Sequence, residues 1–70
     1  YLGGKIETKS ALIVNQSAEI QGVVDADGTI DFKGERTKVT ADSTVHADGT
    51  IVFENVDGVV VAENASVTVS

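Results

Sequence analysis

The densest run of oxygen-bearing side chains is Asp25-Ala-Asp-Gly-Thr-Ile-Asp-Phe-Lys-Gly-Glu35, and acids alternating about a glycine are the makings of a calcium loop. An EF-hand loop takes its ligands from positions 1, 3, 5, 7, 9 and 12, with glycine at 6. With Gly28 at position 6, position 1 falls on Val23 and position 12 on Gly34, and neither offers a side-chain ligand. The stretch reads as a polar turn. His46 is the single histidine, and the chain has no cysteine to share a metal with it. As a general base it would need a nucleophile held in a geometry that spacing alone does not supply, and no nucleophile-elbow pattern of glycines occurs. A surface or turn histidine is the expectation. Pairs of carboxylates for glycoside chemistry can be drawn from eleven acids, as from any acidic chain. Asn15-Gln-Ser17 and Asn64-Ala-Ser66 fit the Asn-x-Ser acceptor pattern, which makes Asn15 and Asn64 candidate glycosylation sites if the protein is secreted by an organism that glycosylates. Gly3-Gly4 precedes no Lys-Ser/Thr helix start, and three scattered aromatics make no stacking platform. No catalytic residue and no cofactor is expected.

Ala-Asp-Gly-Thr-Ile is written twice, at residues 26–30 and 47–51, each time with a Phe two positions on. Aligning Gly4, Gly28 and Gly49 extends the pair to three units, residues 4–27, 28–48 and 49–70, behind a short arm at residues 1–3. In that alignment Ile6 matches Ile30 and Ile51, while Val14 to Ile20 matches Val39 to Val45 and Val61 to Val67. Length differences fall in 33–38 and 54–58, where loops would absorb them. A period in the low twenties marks a stacked architecture. The expected fold is a single all-β domain, a short parallel β-solenoid of three coils of about 21–24 residues, each coil pairing with the one above it. Inward positions at i and i+2 predict a core of Ile6, Leu12, Val14, Ile20, Ile30, Phe32, Val39, Ala41, Val45, Ala47, Ile51, Phe53, Val59, Val61 and Val67. Glycine and β-branched residues interrupt every helical window. The same residues admit a second architecture, because Asp-Gly between alternating apolar residues is a strong hairpin signal. Such hairpins would make a small antiparallel sandwich or barrel. In the coiled arrangement Asp27 would lie over Asp48 at about 4.8 Å, where a weakly held cation such as calcium would relieve their repulsion.

Seventy residues with a net charge of −6 and no cysteine set further bounds. A chain this short buries only about 60% of its unfolded surface, and with neither disulfide nor metal to brace it, association is the remaining source of stability. The negative charge disfavours nucleic acid and anionic membranes, and no apolar run approaches the roughly 20 residues of a membrane span. The chain begins at Tyr1 rather than Met, which reads as removal of a leader or as a segment of something longer.

Val59-Val-Val-Ala-Glu-Asn-Ala-Ser-Val67 and Ser17-Ala-Glu-Ile-Gln-Gly22 resemble the coils of the bactofilin family of polymer-forming β-helical proteins, and are similar also to haemagglutinin-type repeats of bacterial surface adhesins. The resemblance implies a nucleotide-free filament assembled end to end. The chain closes on Ser66-Val-Thr-Val-Ser70, an alternating strand with neither charge nor proline to discourage pairing. The expected function is therefore a non-enzymatic structural subunit that is its own partner as a homopolymer. Leu2 and Ile6 at one end and Val67 and Val69 at the other are the expected assembly contacts. A stalk or tip binding module of an adhesin or phage fibre, contacting a receptor or surface ligand, is the alternative. An extracellular or cell-surface location is expected, with a cytoplasmic filament as the other reading.

Overall fold

Segments such as Ile30-Asp-Phe32 and Ile51-Val-Phe53 carry apolar side chains at alternate positions, so an extended backbone turns both to one side and leaves the middle residue outside. The structure, a computed structural model describing residues 1–70, is built from nine such strands. They are β1 (Leu2–Thr8), β2 (Leu12–Val14), β3 (Ala18–Ala26), β4 (Ile30–Phe32), β5 (Thr37–Val39), β6 (Thr44–Ala47), β7 (Ile51–Phe53), β8 (Val59–Val61) and β9 (Ser66–Val69). One 3₁₀ turn, Val56–Gly58, precedes β8.

Every strand pairing is parallel, β1 with β3, β2 with β4, β3 with β5 and β6, β4 with β7, β5 with β8 and β6 with β9. The protein is a β-solenoid, and the hairpin arrangement is excluded. The Asp-Gly pairs turn corners instead of closing hairpins, because their amides bond to the coil below. Asp27 N–H donates to the Thr8 carbonyl (3.0 Å), Asp48 N–H to Ala26 (3.0 Å) and Gly49 N–H to Gly28 (3.1 Å).

The ladders form three faces. β1 and β3 bend at Gly4 and Gly22, both at positive φ, and so serve two faces each. Leu2, residues 18–20, β5 and β8 make the first face, Gly3-Gly4 lies at the corner beside Gln21-Gly22, and residues 5–8, residues 23–26, β6 and β9 make the second face. β2, β4 and β7 make the third. Inward residues stack in columns: Leu2, Ile20, Val39, Val61; Ile6, Val24, Val45, Val67; Thr8, Ala26, Ala47, Val69; Leu12, Ile30, Ile51; Val14, Phe32, Phe53. The two phenyl rings stack with centroids 5.0 Å apart and planes at 7°. The sealed centre is Ile20, Val24, Ala26, Ile30, Phe32, Val39, Val45 and Ala47.

Three expectations are corrected. Ile6 lies beside Val24, not in the column of Ile30 and Ile51, and Val14 lies beside Phe32, so the register of the first unit is displaced. Gly4 is a corner glycine matched to Gly22, a different element from the Asp-Gly turn. Leu2 and Gly3, two residues of the short arm expected at 1–3, are part of strand β1. Ala41 is exposed because the chain has already left the inward column by then, and Val61 is exposed at the end of its column. Val24 and Ala26, fully enclosed, take positions that the displaced register left out.

The coils lengthen along the chain. From Leu2 to Ile20 is 18 positions, from Ile20 to Val39 is 19 and from Val39 to Val61 is 22. The corner between second and third faces keeps three residues throughout, while the corner into the first face grows from 15–17 to 33–36 to 54–58, and that between first and second faces from two residues to four. Two of the three lengthenings have a side chain that bonds to the shorter corner beneath. Where Thr40-Ala-Asp-Ser43 overlies Gln21-Gly22, Gly22 N–H donates to Ser43 Oγ (3.0 Å), Ser43 Oγ lies 2.9 Å from Thr40 Oγ1, and the Thr40 hydroxyl donates to the Ile20 carbonyl (2.8 Å). The next coil repeats the four-residue corner and puts Ala62 and Ala65 at the equivalent places, since no mismatch is left to bridge. Asn55 does the same at the other growing corner, donating to the Lys33 and Gly34 carbonyls (3.0 Å each).

Candidate functional site

An end of a parallel coil stack exposes a strand edge on every face, and how those edges are dressed decides whether they stay free. At the lower end, β1 and β2 pair on one side only; at the upper end, so do β7, β8 and β9. Protective edges carry charge or proline. Ile51-Val-Phe53, Val59-Val-Val61 and Ser66-Val-Thr-Val69 carry neither, in a chain of net charge −6. Apolar side chains left open cluster at the same two ends. Ile13 is 56% exposed below; Val60 (55%), Val69 (53%) and Val56 (69%) are exposed above. Leu2 and Ile6 are half-buried in the first coil, and Val67 is half-buried and Val69 exposed in the last, so the four residues singled out from the sequence divide between opposite ends. A shallow depression at the lower end is lined by Tyr1, Leu2, β2 and residues 15–18.

The outward row of the second face reads Glu7, Asp25, His46, Thr68 from coil to coil. Stacking brings His46 Nδ1 to 3.0 Å from Asp25 Oδ1, and Nε2 to 2.6 Å from Ser70 Oγ and 3.6 Å from Asp48 Oδ1. The hydrogen bond to Asp25 raises the His46 pKa above its ordinary 6.5; the charges of Asp25 and Asp48 act in the same direction and burial opposes them. Asp25, His46 and Ser70 are strung in the atom order of a nucleophilic triad, which sequence spacing did not reveal because the three sit 21 and 24 positions apart. The string lies along a flat sheet face, and His46 lines neither depression of the surface.

Asp27 and Asp48 occupy equivalent corners on successive coils, each amide bonded to the coil below. Asp27 borders a depression with Glu7, Thr8, Lys9 and Asp25, while Asp48 turns toward His46. No three His, Cys, Asp or Glu residues are arranged to hold a metal ion. Asn15 is exposed in the corner after β2, and Asn64 is exposed in the last four-residue corner at φ 63°, the left-handed conformation that its counterpart Asp42 adopts at φ 64°. No helix is long and apolar enough to cross a membrane.

No protein-family model, curated protein or solved structure matches this chain.

Proposed function

We propose that the protein is a non-enzymatic structural subunit that polymerises end to end, the last coil of one copy receiving the first coil of the next by β-strand addition. The observation that carries this reading is the uncharged, unpaired upper edge formed by β7, β8 and β9 above a continuous apolar core. A parallel stack has different ends, so contact between them is heterologous and propagates into a filament. The catalytic alternative has less behind it, since of the Asp25–His46–Ser70 string only Asp25 lines a surface depression, and His46 and Ser70 line none. In this reading the working location is outside the cell or at its surface.

Electron microscopy should show fibres for the parent chain and none for the double variant Val67→Lys, Val69→Lys. Val69→Lys alone, at a position 53% exposed, tests the edge without burdening the core. Fibres persisting in both variants, with β-sheet circular dichroism retained, would refute end-on assembly.

A stalk or tip binding module is the second reading, favoured by the one-sided growth of the corner that ends in 54–58 and displays Val56. Light scattering separates the two, because a tip module stays small at concentrations where a filament subunit scatters strongly.

A further inference from the structure

The ladders that align the core also align the outward side chains, so the charge pattern of each face follows from the register. On the first face the central outward column runs Glu19, Lys38, Val60, with Tyr1 falling beside Glu19 because Leu2 pairs with Ile20. Ser17 and Arg36 flank that column one pleat away, since the Ala18 amide donates to the Arg36 carbonyl. Elsewhere Lys5 is paired with Glu7, and Lys33 with Asp31 and Glu54. Arg36 and Lys38 form no ion pair, although the chain carries eleven acids against five bases.

A face can be laid on a copy of itself about a two-fold axis in two ways. With the axis along the coils, each level meets itself, Glu19 on Glu19 and Lys38 on Lys38, and like charges repel. With the axis along the strands, midway between β3 and β5, the levels are exchanged. Glu19 then meets Lys38 of the second copy, Arg36 meets Ser17, and Val60, 55% exposed, meets Tyr1, whose hydroxyl donates to Gln21 on the same face. No like charges face each other in those rows.

The other two faces fail the same test. On the second, the exchange sets Asp27 on Asp48. On the third, an axis at β4 or to either side of it sets Asp31 on itself, on Ile13 or on Val52, and Asp31 Oδ1 is buried without a hydrogen-bond partner already. We infer that the first face is a contact between two copies of this chain, laid together with their coil axes reversed so that Glu19 and Lys38 pair in both directions. The contact is centred on two strands that are each paired on both sides, and it is separate from the end-on contact proposed above. A face this small falls well short of the about 800 Å² per partner that a stable complex buries, so the pair forms at high concentration and dissociates on dilution.

Charge exchange tests the placement. In the full chain carrying Val69→Lys, which keeps end-on fibres out of the measurement, sedimentation equilibrium should show the mean mass rising with concentration from one chain toward two, and added salt should oppose the rise. Glu19→Lys and Lys38→Glu each bring like charges together across the pair, and each should lower the association constant about tenfold. Those two variants mixed in equal amounts should associate again, and so should the double variant Glu19→Lys, Lys38→Glu alone. Lys38 is exposed and Glu19 half-buried with its carboxylate outward, so circular dichroism should match the parent throughout. A chain that stays single up to its solubility limit, a single variant that associates as strongly as the parent, or a double variant that does not associate would overturn the contact. Each of those results leaves the end-on reading where the fibre comparison puts it, because the substitutions lie on a side face rather than at a strand edge.

Discussion

Ser43 holds together the place where one coil outgrows the coil beneath it. Its hydroxyl, 2% exposed, is the sole side-chain partner of the Gly22 amide, which the shorter corner leaves outside the ladder. Ser43→Ala should therefore cost about 1 kcal/mol, the net contribution of a hydrogen bond to a half-buried amide, measured as a lower urea midpoint with an unchanged slope. His46 makes a second residue-scale claim. Its folded pKa lies above 6.5, so the stability it contributes is fully present below pH 6.5 and is lost as pH rises through the raised value. The thermal midpoint of the parent chain should fall over that interval, and His46→Gln should flatten that part of the profile; an unchanged pH profile would refute the pairing with Asp25. Neither role was legible in the sequence. Ser43 is one small polar residue among many until the corner below it is known to be two residues shorter, and Asp25, His46 and Ser70 meet only because successive coils lie in register.

At the scale of elements, strands follow from local pattern and corners from their neighbours. Alternation in Ile30-Asp-Phe32, Val45-His-Ala47 and Ile51-Val-Phe53 defines the inward side without reference to anything else, and the Ile30–Ile51 and Phe32–Phe53 columns were readable from the repeated Ala-Asp-Gly-Thr-Ile. The first coil was misread because Gly4 was matched to a turn glycine, although it performs the bend that Gly22 performs one coil later. Corner glycines have tertiary reasons. Gly34 is buried, and a Cβ there would run into the backbone of Gln16 in the coil beneath. Gly34→Ala should cost at least the upper end of the roughly 1–3 kcal/mol typical of overpacking. In a domain of this length, whose total stability is about 4–10 kcal/mol, that is a large share of the total, read as a lower thermal midpoint by circular dichroism. Gly28, whose added Cβ would sit 3.1 Å from the backbone of Ser10, should tolerate alanine better.

For the whole molecule, size sets the terms. The stack measures 25 × 23 × 19 Å, so no coil lies far from an end and only twelve residues of seventy are buried. The proposed contact between copies would add buried apolar surface that a stack this small lacks. The Val67→Lys, Val69→Lys variant accordingly has a second readout. The parent's thermal midpoint should rise with protein concentration, as association requires by mass action, and the variant's should not.

The sequence by itself determined that this chain is all-β, internally repeated, acidic and uncharged along its last strands, because those properties reside in two-residue alternation, a repeated pentapeptide and composition. The tertiary structure alone decided that the strands pair in parallel instead of in hairpins, how the first coil is set in register with the next, and which side chains bridge unequal coils. These depend on the number of residues each corner absorbs, and an extra residue at a corner is accommodated or rejected only by the coil lying beneath it.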